Sequence, residues 1–136
     1  MAKTLDDKTL VSEQIHPADV AAFKAQGVTM IVCNRPDGEA PDQPTGREIE
    51  AACKEAGIDF RYVRIARGIG PSEVEKMREA IEATGDGKML AYCRTGTRSS
   101  LVWATAKNDL GESVESLDQK VSAAGYSLDP VRHLLD

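Results

Sequence analysis

The chain has 136 residues, a length that fits one domain able to bury its own core. Its formal net charge of −5 argues against a nucleic-acid footprint and against binding to an anionic membrane surface. No apolar stretch reaches the roughly 20 residues that span a bilayer. The N-terminus MAKTLDDKTL lacks a secretion-signal pattern, so we expect a cytoplasmic protein.

Cysteine and histidine usage argues against two further kinds of site. Cys33, Cys53 and Cys93 are odd in number and widely spaced, and no Cys-x-x-Cys pair occurs, so a disulfide framework is not expected. The two histidines, His16 and His133, lie near opposite ends of the chain. The sequence therefore predicts no metal site.

The first half of the chain alternates between strand and helix patterns. Pro17 suits the first turn of a helix, and Gly27 closes it. Thr45 is placed to cap the next helix, which Gly57 ends. The predicted elements here are a weak edge strand (9–15), a helix (16–27), a buried strand (28–34), a loop (35–46), a helix (46–57) and a strand (58–65).

The second half continues the alternation and ends in helices. Ser72 and Glu75 have the spacing of a capping box, and Gly85 ends the helix that they begin. The predicted elements are a loop (66–70), a helix (71–85), a short buried strand (89–93), a well-covered helix (98–111) and two terminal helices (113–125 and 128–136).

Strands joined by helices of this length predict an α/β fold, with a central parallel-rich sheet between two layers of helices. We expect one such domain over residues 1–136. Sites in open α/β sheets form outside the carboxyl ends of the strands. Cys93 follows a predicted strand directly and therefore lies at such an end.

The stretch YCRTGTRSS places Cys93 next to groups that can activate a thiol. A loop that leads into a helix directs several backbone N–H groups at one point, where they favour an anion. Gly96 permits the positive φ that such a loop often requires, and Arg98 offers a planar fork of donors. Helix N-termini and cations lower a thiol pKa from about 8.5 to roughly 3.5–7.5, so Cys93 is predicted to be a nucleophilic thiolate.

Other residues near this pattern have less specific interpretations. Cys33 and Cys53 are predicted to be small buried hydrophobic residues. Arg35, at the end of a predicted strand, could reach the Cys93 loop from the side. It could equally be a loop arginine that pairs with Asp37 or Glu39.

The same loop resembles two related designs: the phosphate loop of cysteine-based phosphatases and the active-site loop of rhodanese-type sulfurtransferases. The wider chain resembles the bacterial β-lactamase hydrolase-like phosphatase-domain family. The matching stretches are VSEQIHPADVAAFKAQGVTMIVCNRPDGE, AGIDFRYVRIA, MLAYCRTGTRSS and AAGYSLDPVR. This resemblance implies the three-layer α/β fold of dual-specificity phosphatases. Relatives of this domain occur joined to a metallo-β-lactamase-like domain.

The resemblance also implies roles for the residues of the loop. Cys93 would be the nucleophile, Arg98 the arginine that holds the reacting group, and Ser99 a hydrogen-bond donor to the thiolate. Such enzymes use no metal or organic cofactor. The residues that would form the cradle for the substrate are Arg94, Thr95, Gly96 and Thr97.

Two departures from the phosphatase pattern are informative. Phosphatase loops usually place five residues between Cys and Arg after a His, whereas four residues separate Cys93 from Arg98 and Tyr92 replaces the His. The stretch RIARGIGPSEVEK has no Asp to act as general acid. Its nearby candidates are Ser72, Glu73 and Glu75, of which Glu75 fits a capping role better.

Three hypotheses follow, and the shorter loop favours the first. A sulfurtransferase would form a persulfide on Cys93. A phosphatase-like hydrolase would form a phosphocysteine there. A non-catalytic module would use Cys93 for reversible oxidation or for anion binding. The expected partner is a small anionic or sulfur-bearing substrate: thiosulfate, a persulfide or a phosphoester.

Overall fold

Five strands form one mixed sheet in the computed structural model, which describes residues 2–136. The strands are β1 (Lys3–Asp6), β2 (Thr9–Ser12), β3 (Val28–Cys33), β4 (Asp59–Tyr62) and β5 (Lys88–Tyr92). Their order across the sheet is β1-β2-β5-β3-β4. Only β1 runs antiparallel to its neighbour, because a short turn joins it to β2, while the other pairs are parallel.

Helices cover both faces of the sheet. They are α1 (Val20–Ala25), α2 (Gly46–Ala56), α3 (Pro71–Thr84), α4 (Thr97–Asp109) and α5 (Val114–Ala123). Two 3₁₀ turns, at Pro17–Asp19 and Asp129–Leu134, precede α1 and follow α5; we call the second the C-terminal turn. The three-layer α/β architecture predicted from the sequence is confirmed.

The central strands are apolar because both of their faces are buried. Along β3, Met30 and Val32 belong to the core under α3, α4 and α5, whereas Ile31 and Cys33 belong to the core under α1 and α2. Alternate side chains of a strand point to opposite faces, so a strand covered on both sides needs a continuous apolar run. Trp103 of α4 is fully buried in the first of these cores.

Several predicted boundaries differ from the structure. Strand β1 was not predicted, the early strand ends at Ser12, and β4 covers only half of its predicted range. The predicted first helix begins as a 3₁₀ turn, and the last is 3₁₀ throughout. A short 3₁₀ turn places residues i and i+3 on one side, as an α-helix nearly does, so apolar spacing over a few residues does not separate the two.

The helix caps are partly as predicted. Thr45 caps α2, since its Oγ1 accepts a hydrogen bond from the Glu48 N–H at 3.2 Å. The predicted Ser72–Glu75 box is wrong: α3 begins at Pro71, and Glu73 accepts from the Gly70 N–H at 2.8 Å. A proline at the first helical position suits the start of α3, because its missing N–H would have no partner there.

The helices are short. The longest, α3, has 14 residues, and none of those within residues 2–136 combines the length and the apolar content that crossing a bilayer requires.

The core predicts a clear difference between two leucine substitutions. Leu90 of β5 is fully buried, whereas Leu110 after α4 is 39% exposed. Leu90→Ala should reduce the free energy of unfolding by about 2–5 kcal/mol, because it removes buried surface and leaves a cavity. Leu110→Ala, the matched control, should cost less than about 1 kcal/mol in the same urea titration. Equal losses would contradict this assignment of the core.

Candidate active site

The Cys93 loop lies at the carboxyl edge of the sheet, where β3 and β5 end side by side. Backbone hydrogen bonds hold its start: the Cys93 N–H donates to the Ser12 carbonyl at 3.3 Å, and the Asn34 N–H donates to the Tyr92 carbonyl at 2.9 Å. Helix α4 begins at Thr97, four residues after Cys93. The loop is therefore fixed between the end of a central strand and the first turn of a helix.

The loop can close because residue 96 is a glycine. Gly96 has φ of +94°, in the left-handed region that side chains disfavour. A Cβ atom built there would lie 2.2 Å from the hydroxyl oxygen of Tyr126. The Gly96 N–H donates to Cys93 Sγ at 3.1 Å, so this turn aims an amide at the sulfur.

Hydrogen bonds to the Cys93 sulfur favour its ionised form. The side chain is only 1% exposed, and burial alone would raise its pKa. Hydrogen bonds from the Ser99 N–H and hydroxyl, and from the N–H groups of Thr95 and Gly96, outweigh burial and hold the Cys93 pKa below its ordinary value. The Ser99 hydroxyl is buried and has no geometrically ideal hydrogen-bond partner among residues 2–136, so its effect on the Cys93 pKa comes from its closeness to the sulfur.

Arg98 is paired with Glu39, a residue from the loop after β3. Arg98 Nη1 donates to Glu39 Oε2 and Nη2 to Glu39 Oε1, both at 2.8 Å, and Nη1 also donates to the Ile65 carbonyl at 2.9 Å. This bidentate pair fixes the plane of the guanidinium. It lowers the Glu39 pKa to about 2 and, together with the Cys93 sulfur, raises the Arg98 pKa.

Arg35 forms the pair with Glu39 that was one of its two predicted alternatives, while a direct role in substrate binding stays a prediction. It is 5% exposed, and its Nε donates to Glu39 Oε1 at 3.0 Å, so it does pair with Glu39. Through that carboxylate it also reaches Arg98, which places it beside the Cys93 loop. Its Nη1 donates to Gln14 Oε1 at 3.1 Å, and the Gln14 N–H donates to the Arg94 carbonyl at 3.4 Å.

Of the residues predicted to form the cradle, Thr95 and Gly96 direct backbone N–H groups at the Cys93 sulfur, while their role in substrate binding stays a prediction. Arg94 and Thr95 are exposed, and the hydroxyls of Thr95 and Thr97 lie 3.0 Å apart. The Tyr126 hydroxyl donates to the Thr95 carbonyl at 2.9 Å and so braces the outer side of the loop. The site residues that sequence analysis missed are thus Gln14 and Tyr126, together with the role of Glu39 as partner of Arg98.

Cys33, Cys53 and Tyr92 lie in the apolar interior and not in the Cys93 loop. Burial raises the pKa of Cys33, and it raises that of Cys53 to about 11. The Tyr92 side chain packs in the core under α1 and α2 with Cys33, away from the Cys93 loop.

Glu73, one of the candidate general acids, instead caps α3. Within residues 2–136 no three His, Cys, Asp or Glu side chains are grouped as metal ligands.

Cys93 should be the most reactive thiol at neutral pH. Its rate of alkylation by iodoacetamide, followed by peptide mass spectrometry, should rise with a midpoint below the ordinary thiol pKa of about 8.5. Cys33 and Cys53 in the same sample are the internal control and should stay unmodified. Ser99→Ala should shift the Cys93 midpoint upward, because it removes a hydrogen bond from the thiolate. An unchanged midpoint would contradict the role given to Ser99.

The Glu39 ion pairs predict a pH dependence of stability. The folded-state pKa of Glu39 is lowered from 4.5 to about 2. Its contribution is therefore present above about pH 4.5 and is lost as pH falls toward 2. Urea unfolding of Glu39→Gln should show a deficit against wild type at pH 7 that shrinks by pH 3. Glu75→Gln, at an exposed position of α3, is the control and should show no such trend.

Comparison with protein families identifies the domain. Residues 2–110 match the family model described as β-lactamase hydrolase-like protein, phosphatase-like domain. A β-lactamase hydrolase-like protein of Xylella fastidiosa is 30% identical over 104 residues, which cover 76% of this chain and 24% of that protein. One from Agrobacterium fabrum is 29% identical over 122 residues, covering 88% and 26%. The chain thus spans about a quarter of these relatives.

Solved structures with the same architecture bear phosphatase names. A candidate phosphatase from Neisseria meningitidis is 36% identical, covers 98% of this chain and 95% of its own, and has a TM-score of 0.79. Kinase-associated phosphatase is 18% identical, covers 91% and 82%, and has a TM-score of 0.71. Tk-PTP in its active form is 20% identical, covers 91% and 84%, and has a TM-score of 0.70.

The two more distant structures share the fold alone, and they confirm the predicted phosphatase-like fold class. By name, the relatives support the phosphatase alternative better than the favoured sulfurtransferase hypothesis, which they do not confirm. The chain belongs to the family of β-lactamase hydrolase-like, phosphatase-like domains, as its sequence resemblance predicted.

Proposed function

We propose that this domain is a sulfurtransferase that works through a persulfide on Cys93. The Cys93 thiolate attacks the outer sulfur of thiosulfate or of an organic persulfide. The S–S bond of the donor breaks, and sulfite or a thiolate leaves with the electron pair. A second thiolate or cyanide then attacks the outer sulfur of the Cys93 persulfide, takes that sulfur, and restores the Cys93 thiolate.

The size of the loop is the observation that carries this proposal. Only four residues separate Cys93 from Arg98, and the Gly96 amide already lies 3.1 Å from the sulfur. Amides this close can stabilise charge on Cys93 Sγ and on one atom attached to it. A terminal sulfur is a single atom, whereas a tetrahedral phosphoryl group needs a wider ring of donors.

The missing general acid supports the same reaction. Sulfite and thiolates leave as stable anions and need no proton at that moment, whereas an alkyl phosphate expels an alkoxide that does. General acid catalysis contributes typically 10²–10⁴-fold. Glu39 is the acid nearest to Arg98, but with a pKa of about 2 it is a carboxylate at neutral pH and has no proton to donate.

Arg98 adds an electrostatic argument. Both of its Nη atoms already donate to Glu39, so a dianionic phosphoryl group would meet a neighbouring carboxylate as well as the guanidinium. Like charges at such distances repel, more strongly in a partly buried site than in water. The persulfide on Cys93 carries at most one negative charge and is repelled less than a phosphocysteine dianion; thiosulfate, itself a dianion, gains no such advantage over a phosphoester.

Phosphoester hydrolysis is the second candidate, and the names of the relatives favour it. Cys93 would attack phosphorus, expel the alcohol and form a phosphocysteine that water then hydrolyses. Without a general acid, this activity would be confined to good leaving groups such as aryl phosphates.

The adduct on Cys93 distinguishes the two reactions. After brief exposure to thiosulfate, the intact mass of the wild-type protein should increase by one sulfur atom, and transfer of that sulfur to cyanide should be catalytic. Cys93→Ser should abolish both signals, since it removes the nucleophile. Cys53→Ala, a change at a buried thiol outside the site, is the matched control and should keep both.

An aryl phosphate supplies the opposing test. A phosphate adduct on Cys93, with hydrolysis that is lost in Arg98→Ala and no sulfur transfer, would overturn the sulfurtransferase proposal in favour of the hydrolase. Rapid Cys93 alkylation without either turnover would instead indicate the redox or anion-binding module.

A further inference from the structure

A groove of about 460 Å³ opens beside Arg98. The loop between β4 and α3 forms one wall, and the C-terminal turn forms the other. Arg98 belongs both to this groove and to the Cys93 loop, and its Nη1 donates to the carbonyl of Ile65, another lining residue. A molecule in this groove would therefore lie against the same guanidinium that faces the reactive sulfur.

The ionisable side chains of the groove are all basic. They are Arg67, Arg98 and His133, and no Asp or Glu lines it, although the chain carries 22 Asp and Glu residues against 17 Lys and Arg. Glu39 already neutralises Arg98, whereas Arg67 makes no ion pair among residues 2–136. Arg67 is thus the cation of the groove that remains available to a ligand carboxylate.

The rest of the lining suits an organic molecule. Ile69, Leu101 and Val131 provide apolar walls, and the volume lies within the roughly 300–1,000 Å³ typical of small-molecule sites. Arg67 lies in the stretch that lacks the general acid expected of a phosphatase. This loop therefore supplies a cation and apolar surface in place of a proton donor.

We propose that the groove binds a carboxylate-bearing organic thiol, or its persulfide, with the carboxylate at Arg67 and the sulfur directed past Arg98 toward Cys93. This inference rests on the proposed sulfur transfer and names the class of organic donor or acceptor. Charge complementarity at Arg67 supplies selectivity for the carboxylate, and the apolar walls hold the carbon chain.

Binding to the Cys93→Ser protein tests the groove without turnover. In calorimetry, S-methylglutathione should bind more tightly than its dimethyl ester, and Arg67→Ala should weaken binding of the acid by about fivefold, the upper range for an exposed ion pair. The same substitution should leave the ester unaffected. Arg47→Ala, which removes an exposed arginine of α2, is the matched control and should change neither affinity.

Turnover assays with two acceptors distinguish failure of the groove proposal from failure of the proposed sulfur transfer. Thiosulfate-to-cyanide transfer by the wild type reports the chemistry at Cys93 alone, because cyanide carries no carboxylate. With glutathione as acceptor, Arg67→Ala should raise KM. Cyanide turnover without any preference for the acid over the ester would overturn the groove proposal and leave sulfur transfer standing. Arg67-dependent binding without sulfur transfer to either acceptor would overturn the groove as a sulfur-acceptor site.

Discussion

The hydrogen bonds that converge on the Cys93 sulfur are the constraint around which this end of the molecule is built. A buried thiol would ordinarily stay protonated, yet donors from Thr95, Gly96 and Ser99 reverse that preference. They meet at one atom because β5 stops at Tyr92 and α4 starts at Thr97, which leaves a short loop with its amides turned inward. The apolar core under both helical layers keeps those two ends in place.

Arg35, Glu39 and Arg98 form the second fixed part of the site. Two guanidinium groups share one carboxylate, so each charge has a partner even though Arg35 is almost completely buried. Glu39 makes no hydrogen bond to the Cys93 sulfur; it acts by holding Arg98 in one orientation. The shared carboxylate partly offsets the two positive charges of Arg35 and Arg98.

The order of the layers and the position of the Cys93 loop could be predicted from the sequence. Apolar runs, glycines that end helices, and the spacing of Cys93, Gly96 and Arg98 are all local patterns. The contact of Glu39 with Arg98 and the contacts of Gln14 and Tyr126 could not be predicted, since they join segments far apart in the chain. Strand β1 was missed because its four residues, KTLD, carry no apolar run and it pairs along only one edge. The start of α3 was misplaced because Ser72 gives a cap-like signal that Pro71 overrides.

The Tyr126 contact with the loop has a consequence for where this unit ends. The family model matches residues 2–110, but the hydroxyl that braces Thr95 comes from beyond that range, and so does the C-terminal turn that walls the groove. A boundary drawn at the end of the family model would separate the Cys93 loop from the tyrosine that supports its outer side. The unit defined by these contacts is therefore longer than the part of the chain that the family model matches.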